Sequence, residues 1–288
     1  MYKSSKIVTG QLDRIIELDK LYNKSHKSSA LKKIAIASGK GGTGKTFFAA
    51  NFAYQLSVSK KVLLIDLDFK LANIHLLFNL HPQNNLAEYF ESKKLFEDVI
   101  TEYNSNLHLV LGDTGFSDKS LPSVTQIEKM LEDIEKLSDK YDLVLFDLGA
   151  GISNENIFLL TQSDIKIIVA APEPTALMDA YMVIKQLISN FAKENILVTI
   201  NRVVEPEEAD QAFDNLRTAL NHFLKTNIEF LVSIPESAQI RRSIIEQNLY
   251  SANQKADKVI KSFITAEHKI SKINQVSNIN HPSFEPTL

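Results

Sequence analysis

Ser38-Gly39-Lys40-Gly41-Gly42-Thr43-Gly44-Lys45-Thr46 is the stretch that decides the fold. The chain has 288 residues and only nine glycines, and four of those glycines fall between positions 39 and 44. A β-rich run, Ile34 to Ala37, leads into this stretch, and a helical run, Phe47 to Leu56, leaves it. Glycines so placed let the backbone curl and turn successive N–H groups onto a phosphate, while the helix N-terminus adds the positive end of its dipole. In that setting Lys45 neutralises the β and γ oxygens of a nucleotide and the Thr46 hydroxyl is placed to ligate Mg²⁺. Gly39, Gly41 and Gly44 also spell G-x-G-x-x-G, and Asp66 ends the next strand where the ribose-binding acid of a dinucleotide site would stand. A dinucleotide site has no use for Lys45-Thr46 or for the second acid, Asp68. Phosphate-and-metal chemistry uses all of them.

Outward from the loop, short β-rich runs alternate with amphipathic helical stretches: Ile34 to Ala37, Val62 to Asp66, Leu107 to Leu111, Leu143 to Phe146, Ile165 to Ala170, Ile196 to Ile200 and Phe230 to Ile234. Near-continuous apolar strands separated by helices predict an α/β fold, a mostly parallel, doubly wound sheet with helices on both faces. The stripe Ile127, Leu131, Ile134, Leu137 is read as core. Asp147 closes the Leu143 to Phe146 run and precedes Leu148-Gly149-Ala150-Gly151, so it reads as the carboxylate that holds Mg²⁺ directly or through water, beside glycines free to move when the γ-phosphate leaves. Asp68 is placed to orient the attacking water.

Composition narrows the classes further. Apolar residues make up 44% and charged residues 23%, the average of a globular protein, which excludes a fibrous or low-complexity chain. Thirty-two Lys and Arg against 35 Asp and Glu leave a net charge of −3, so no global attraction to nucleic acid is expected. The absence of cysteine excludes disulfides, thiolate metal sites, iron–sulfur clusters and Cys nucleophiles. Met1 to Leu12 has no apolar signal core, and no run reaches the length of a membrane span, so a cytoplasmic protein is expected.

Lys40-Gly41-Gly42-Thr43-Gly44-Lys45-Thr46 resembles the deviant Walker A motif of the MinD/ParA ATPases. The resemblance implies that Lys40 reaches across an ATP-sandwiched dimer to the partner's phosphates, which makes Lys40 and Asp68 the catalytic pair. Asp66-Leu67-Asp68-Phe69 is similar to the family's switch I and Asp147 to Gly151 to its switch II, so Thr46, Asp66 and Asp147 are expected at the metal. The loop from Gly39 to Thr46 with Phe47 is expected on the phosphates. Asn201-Arg202 resembles the adenine-side segment, and Pro235-Glu236 lies in a stretch similar to the loop that closes over the base. Within the family, Pro172-Glu173-Pro174-Thr175 with Asp179-Ala180-Tyr181, and Leu71-Ala72-Asn73-Ile74, resemble the flagellar-number regulators of the FlhG/FleN/YlxH branch. Members of that branch use an N-terminal D-Q-A-x-x-L helix to activate an SRP-type GTPase. Here Gly10-Gln11-Leu12-Asp13-Arg14-Ile15 keeps the glutamine and the apolar spacing, with Gly10 for the acid and Leu12 for the alanine.

The expected organisation is an N-terminal docking helix and Ser-rich linker over residues 1–31, the ATPase domain over 32–252, and a C-terminal amphipathic helix with a polar tail over 253–288. In residues 254–272, Val259, Ile260, Phe263, Ile264 and Ile270 stand among five lysines. This stripe reads either as a contact to the inner membrane surface or as a last helix packed on the sheet. The expected function is an ATP- and Mg²⁺-dependent dimerising switch that regulates flagellar number. The alternatives are a MinD-type division-site ATPase and a nucleotide-binding scaffold without turnover.

Overall fold

In the strand Lys32–Ser38 (β1), Ile34 and Ile36 face one side and Ala35 and Ala37 the other, and all four are buried. A strand apolar on both faces must lie in the middle of a covered sheet, and β1 does. The computed structural model describes residues 31–81, 83–112, 121–190, 192–253 and 257–279. The other strands are Val62–Leu67 (β2), Ile100–Asn104 (β3), Leu107–Val110 (β4), Leu143–Ala150 (β5), Ile165–Ala170 (β6), Ile196–Val203 (β7) and Glu229–Pro235 (β8). Their spatial order is β3-β4-β2-β5-β1-β6-β7-β8. Every pairing is parallel except β3 with β4, an antiparallel edge hairpin. The sheet thus has one strand more than the sequence pattern predicts. Residues of β3 are half-exposed, so that strand carries no continuous apolar run.

The chain leaves β1 in one direction toward β2 and returns past it from β5 to β6. That reversal puts a crevice at the C-terminal ends of the central strands, where ligands bind in open α/β sheets. Side chains from Leu86–Phe90 (α3), Val124–Glu135 (α4), Asn154–Thr161 (α5), Pro174–Ser189 (α6) and Pro206–Leu224 (α7) form the core on one face. Lys45–Leu56 (α1), Ile74–Leu77 (α2), Tyr250–Asn253 (α9) and Lys258–Ile279 (α10) contribute to the core on the other. Ala238–Ile245 (α8) follows β8 along the rim of the crevice.

The helix α1 is apolar nearly all round, with Phe47, Phe48, Ala49, Ala50, Phe52, Ala53 and Leu56 buried, and such a helix needs cover on both sides. The sheet supplies one side and α10 the other: Phe263 lies 6.3 Å from Phe47 and 5.6 Å from Phe48, ring to ring. Val259, Ile260, Phe263 and Ile270 are all buried, and side chains of this size stabilise by roughly 1.5–3 kcal/mol each when fully buried. Of the two readings of the C-terminal stripe, the packed helix is the one observed. Ile264 is partly buried against the same core; residues 254–256 of the stretch lie outside the described residues. Lys269 closes the arrangement by donating to the carbonyls of Phe230 (3.0 Å) and Leu231 (2.8 Å), which covers part of the β8 edge. Among the described residues no helix is long and apolar enough to cross a membrane. The docking helix and linker expected over residues 1–31 lie outside the described residues, save Leu31, which is buried.

Candidate functional site

The turn after β1 is shaped by glycine where only glycine fits. Gly42 and Gly44 have φ of 82° and 85°, in the left-handed region that side chains disfavour. A Cβ on Gly39 would lie 2.2 Å from the backbone carbon of Asp179 in α6, so the loop is seated directly against that helix. A Cβ on Gly44 would lie 2.1 Å from Asn201 Nδ2. That amide donates to the Thr43 carbonyl (2.7 Å), and Arg202 Nη1 donates to the Gly42 carbonyl (3.4 Å). The end of β7 therefore holds two carbonyls of the loop, and Thr43 Oγ1 and Ser38 Oγ both donate to a third, that of Lys40. Arg202 takes a left-handed backbone conformation, φ 62°, to reach back across the loop. The resemblance implies Asn201 and Arg202 for the adenine side; their bonds to the phosphate loop emerge only from the fold.

Two hollows adjoin the loop. One, of about 520 Å³, is lined by Gly41 to Phe47, Asp68, Asn73, Ala150 and the apolar side chains Leu71, Leu76, Leu77, Ile244 and Ile245. The other, of about 220 Å³, is lined by Gly42, Gly44, Phe47, Asn201, Arg202, Pro235, Glu236, Ile240 and Arg241. Glu236 lies between Arg202 (3.8 Å) and Arg241 (3.6 Å), exposed contacts at the rim of the second hollow. Phe47 borders both. Of the residues expected at the nucleotide, Gly41 to Phe47 line the first hollow and Asn201, Arg202, Pro235 and Glu236 the second, while Gly39 and Lys40 line neither.

Lys45 is buried and pairs with Asp147 at 2.6 Å, Nζ to Oδ1. Asp147 Oδ2 is buried without a hydrogen-bond partner. Asp66 stands opposite Asp147 in the β2/β5 register. Its carboxylate accepts from the backbone N–H of Asp68 (3.2 Å), Asn73 (3.0 Å) and Ile74 (3.0 Å), and so ties the turn after β2 into a closed loop. Asp68 is partly exposed and accepts from Leu71 N–H at 3.1 Å. Lys40 is exposed at the rim, with no ion-pair partner among the described residues. Among the described residues no three His, Asp or Glu side chains cluster closely enough to hold a metal alone. The donor set of one orphaned carboxylate oxygen, a Thr46 hydroxyl and a second buried carboxylate fits Mg²⁺, which keeps several water or phosphate ligands.

Burial pushes the Asp66 carboxyl up to about 7, with the neighbouring Asp147 charge adding to the rise. Asp147 is raised by burial too, against the pull of Lys45. Between pH ~4 and ~7 the folded, nucleotide-free chain therefore holds protons that the unfolded chain has released. Stability falls as pH rises through that window and levels off above it. His75, whose imidazole is held below its usual range by burial and by His81, runs the other way. The isolating comparison is with Asp66→Asn. Denaturant unfolding of both proteins without nucleotide, from pH 5 to 8, is expected to show a shallower decline in the variant; identical slopes would remove Asp66 as the cause.

Comparison with known proteins agrees with this fold. A family model described as an AAA domain matches residues 31–205. The flagellum site-determining protein YlxH of Helicobacter pylori is 31% identical over 220 residues, covering 76% of this chain and 74% of that protein. The antiactivator FleN of Pseudomonas aeruginosa is 28% identical over 215 residues, 74% of this chain and 77% of its own. Among solved structures, the septum site-determining protein MinD of Pyrococcus horikoshii complexed with Mg-ADP aligns with a TM-score of 0.68 and 26% identity, covering 85% of this chain and 98% of that one.

Proposed function

The chain belongs to the MinD/ParA family of P-loop ATPases, and from that premise we propose that it is an ATP-dependent switch that regulates the number or placement of flagella. ATP binds in the crevice, two copies close over it face to face, and slow hydrolysis at that interface returns the chain to the monomer. The observation that carries the switch is the unequal placement of two lysines in one loop. Lys45 is buried at the inner end of the crevice, and Lys40 is exposed at its rim without an ion-pair partner among the described residues. An exposed, unpaired cation beside a phosphate loop is suited to phosphates presented by a second copy. The flagellar role is supported by YlxH and FleN, each matched over about three quarters of its length.

In this reading the loop N–H groups and Lys45 bind the β and γ phosphates, and Arg202, Pro235 and Glu236 border the base. Asn201 keeps the loop in its binding shape. Asp68 orients the attacking water. Thr46 and Asp147 hold Mg²⁺, with Asp66 at its side, and the ion when bound supplies positive charge to the phosphate oxygens. The N-terminal stretch around Gln11 is the proposed contact to an SRP-type GTPase.

Lys40→Ala tests the reading. The variant is expected to bind ATP as a monomer nearly as well as the parent, to lose ATP-dependent dimerisation by light scattering, and to lose hydrolysis on the order of 100-fold, as when a charge-stabilising group is removed. In the bacterium that carries the gene, the same substitution should alter flagellar number or position. A variant that dimerises and hydrolyses ATP at the parental rate removes the trans-acting lysine. Normal flagella with misplaced division septa in the deleted strain would favour a division-site role, the reading that the MinD-like structures support.

A further inference from the structure

We infer that Asn156, which the sequence does not single out, is a positioning residue for hydrolysis. It holds the end of β5 in register with the acid that orients the attacking water. The inference rests on the ATPase reading above and assigns a residue to that site.

The side chain of Asn156 is buried. Its amide nitrogen donates to the carbonyl of Gly149 at 2.9 Å and to that of Gly151 at 3.3 Å. Both amide hydrogens are thus spent on one three-residue segment. The other side of the segment is held as well, since Gly151 N–H donates to the Ser38 carbonyl at 2.9 Å, at the point where β1 turns into the phosphate loop. Gly151 has φ 89°, a conformation a side chain would strain. The anchor itself is rigid: Asn156 sits in the first turn of α5, where its own N–H donates to the Ser153 hydroxyl at 3.1 Å. Residues 149–151 are therefore clamped between the start of the phosphate loop and the start of α5, although their glycines alone suggest free movement.

The clamp bears on Asp68. A Cβ built on Gly149 would lie 3.5 Å from Asp68 Oδ1 and 3.8 Å from Asn156 Nδ2, in ordinary contact with both, so the acid and the anchoring amide border the same side of one glycine. If the amide is removed, two carbonyls lose their donor and the surface under Asp68 is no longer fixed. A displacement of about 1 Å in a water-positioning group costs up to ~100-fold in rate without weakening ground-state binding.

The test uses Asn156→Ala and Asn156→Asp in the full chain. The aspartate keeps the shape and replaces the donor with an acceptor that repels both carbonyls. Expected is a fall in kcat of about tenfold or more in each, a Kd for ATP within about threefold of the parent, and an unchanged melting transition when ATP is bound. Hydrogen exchange at the Gly151 amide should quicken in both variants even without nucleotide. Unchanged kcat and unchanged exchange overturn the inference, as does a parallel loss of affinity, rate and melting temperature, which is the mark of a purely structural role. If the parent protein itself hydrolyses no ATP, the ATPase reading fails, and the exchange rate at Gly151 still decides whether Asn156 holds the segment.

Discussion

Lys45→Ala yields a chain that folds and does not retain ATP. The ammonium is buried at the inner end of the crevice, 2.6 Å from Asp147 Oδ1 and 3.4 Å from the Thr46 hydroxyl. In the proposed reading, nucleotide binding would exchange partners: Lys45 would leave the carboxylate for the β and γ phosphates, and Asp147 would be free to hold the cation. Truncating one partner of a buried, hydrogen-bonded charge pair costs about 2–5 kcal/mol, a loss of roughly 30- to several-thousand-fold in affinity. Folding is affected less than a buried charge pair suggests, because burial already raises the Asp147 carboxyl and makes it the readier to take up a proton when its cation is gone. Equilibrium binding of a fluorescent ATP analogue measures the first effect, and thermal unfolding without nucleotide measures the second. A variant that binds within about threefold of the parent would mean that the loop N–H groups alone carry the phosphates.

What the sequence discloses of this molecule follows from how local each cause is. The phosphate loop is legible because its requirement is written in adjacent residues: glycines where φ is positive, then Lys45-Thr46 at a helix start. The parallel sheet is legible because strands buried on both faces must be apolar throughout, as in Leu63-Leu64-Ile65 and Ile167-Ile168-Val169, all buried. The strand β3 is not, because Thr101, Glu102 and Tyr103 at a sheet edge satisfy only the hydrogen bonds of one neighbour and bury too little to leave a pattern. The last helix displays its apolar stripe in the sequence but not what covers it. Only the fold reveals that Phe47 and Phe48, more than two hundred residues away in the chain, are its partners. Asn156 and Asn201 are the extreme case. An amide that satisfies carbonyls of another segment looks in sequence like any asparagine at a strand end or helix start, and its role exists only once the two segments meet.

Asp68→Ala is the complementary experiment, expected to spare binding and nearly stop turnover. Among the described residues, Asp68 makes no hydrogen bond or ion pair to the phosphate loop. Its Oδ1 accepts from Leu71 N–H and lies over Gly149, so the side chain is held at the mouth of the larger hollow without contributing to its walls of N–H groups. A group that acts on the attacking water is felt in the transition state and not in the bound ground state, and loss of such a group lowers kcat on the order of 100-fold or more while the Kd for ATP stays nearly constant. The alanine also removes the acceptor for Leu71, a hydrogen bond worth about 1 kcal/mol to the turn, and that loss alone could slow the reaction by loosening the loop. Asp68→Asn separates the causes, because its amide oxygen still accepts from Leu71 N–H while the negative charge that orients the water is gone. If Asp68 acts on the water, both variants bind ATP, accumulate the ATP-bound dimer and fail to hydrolyse it in single-turnover assays. If the asparagine variant hydrolyses at the parental rate, the charge is dispensable and Asp68 is only the cap of its own turn.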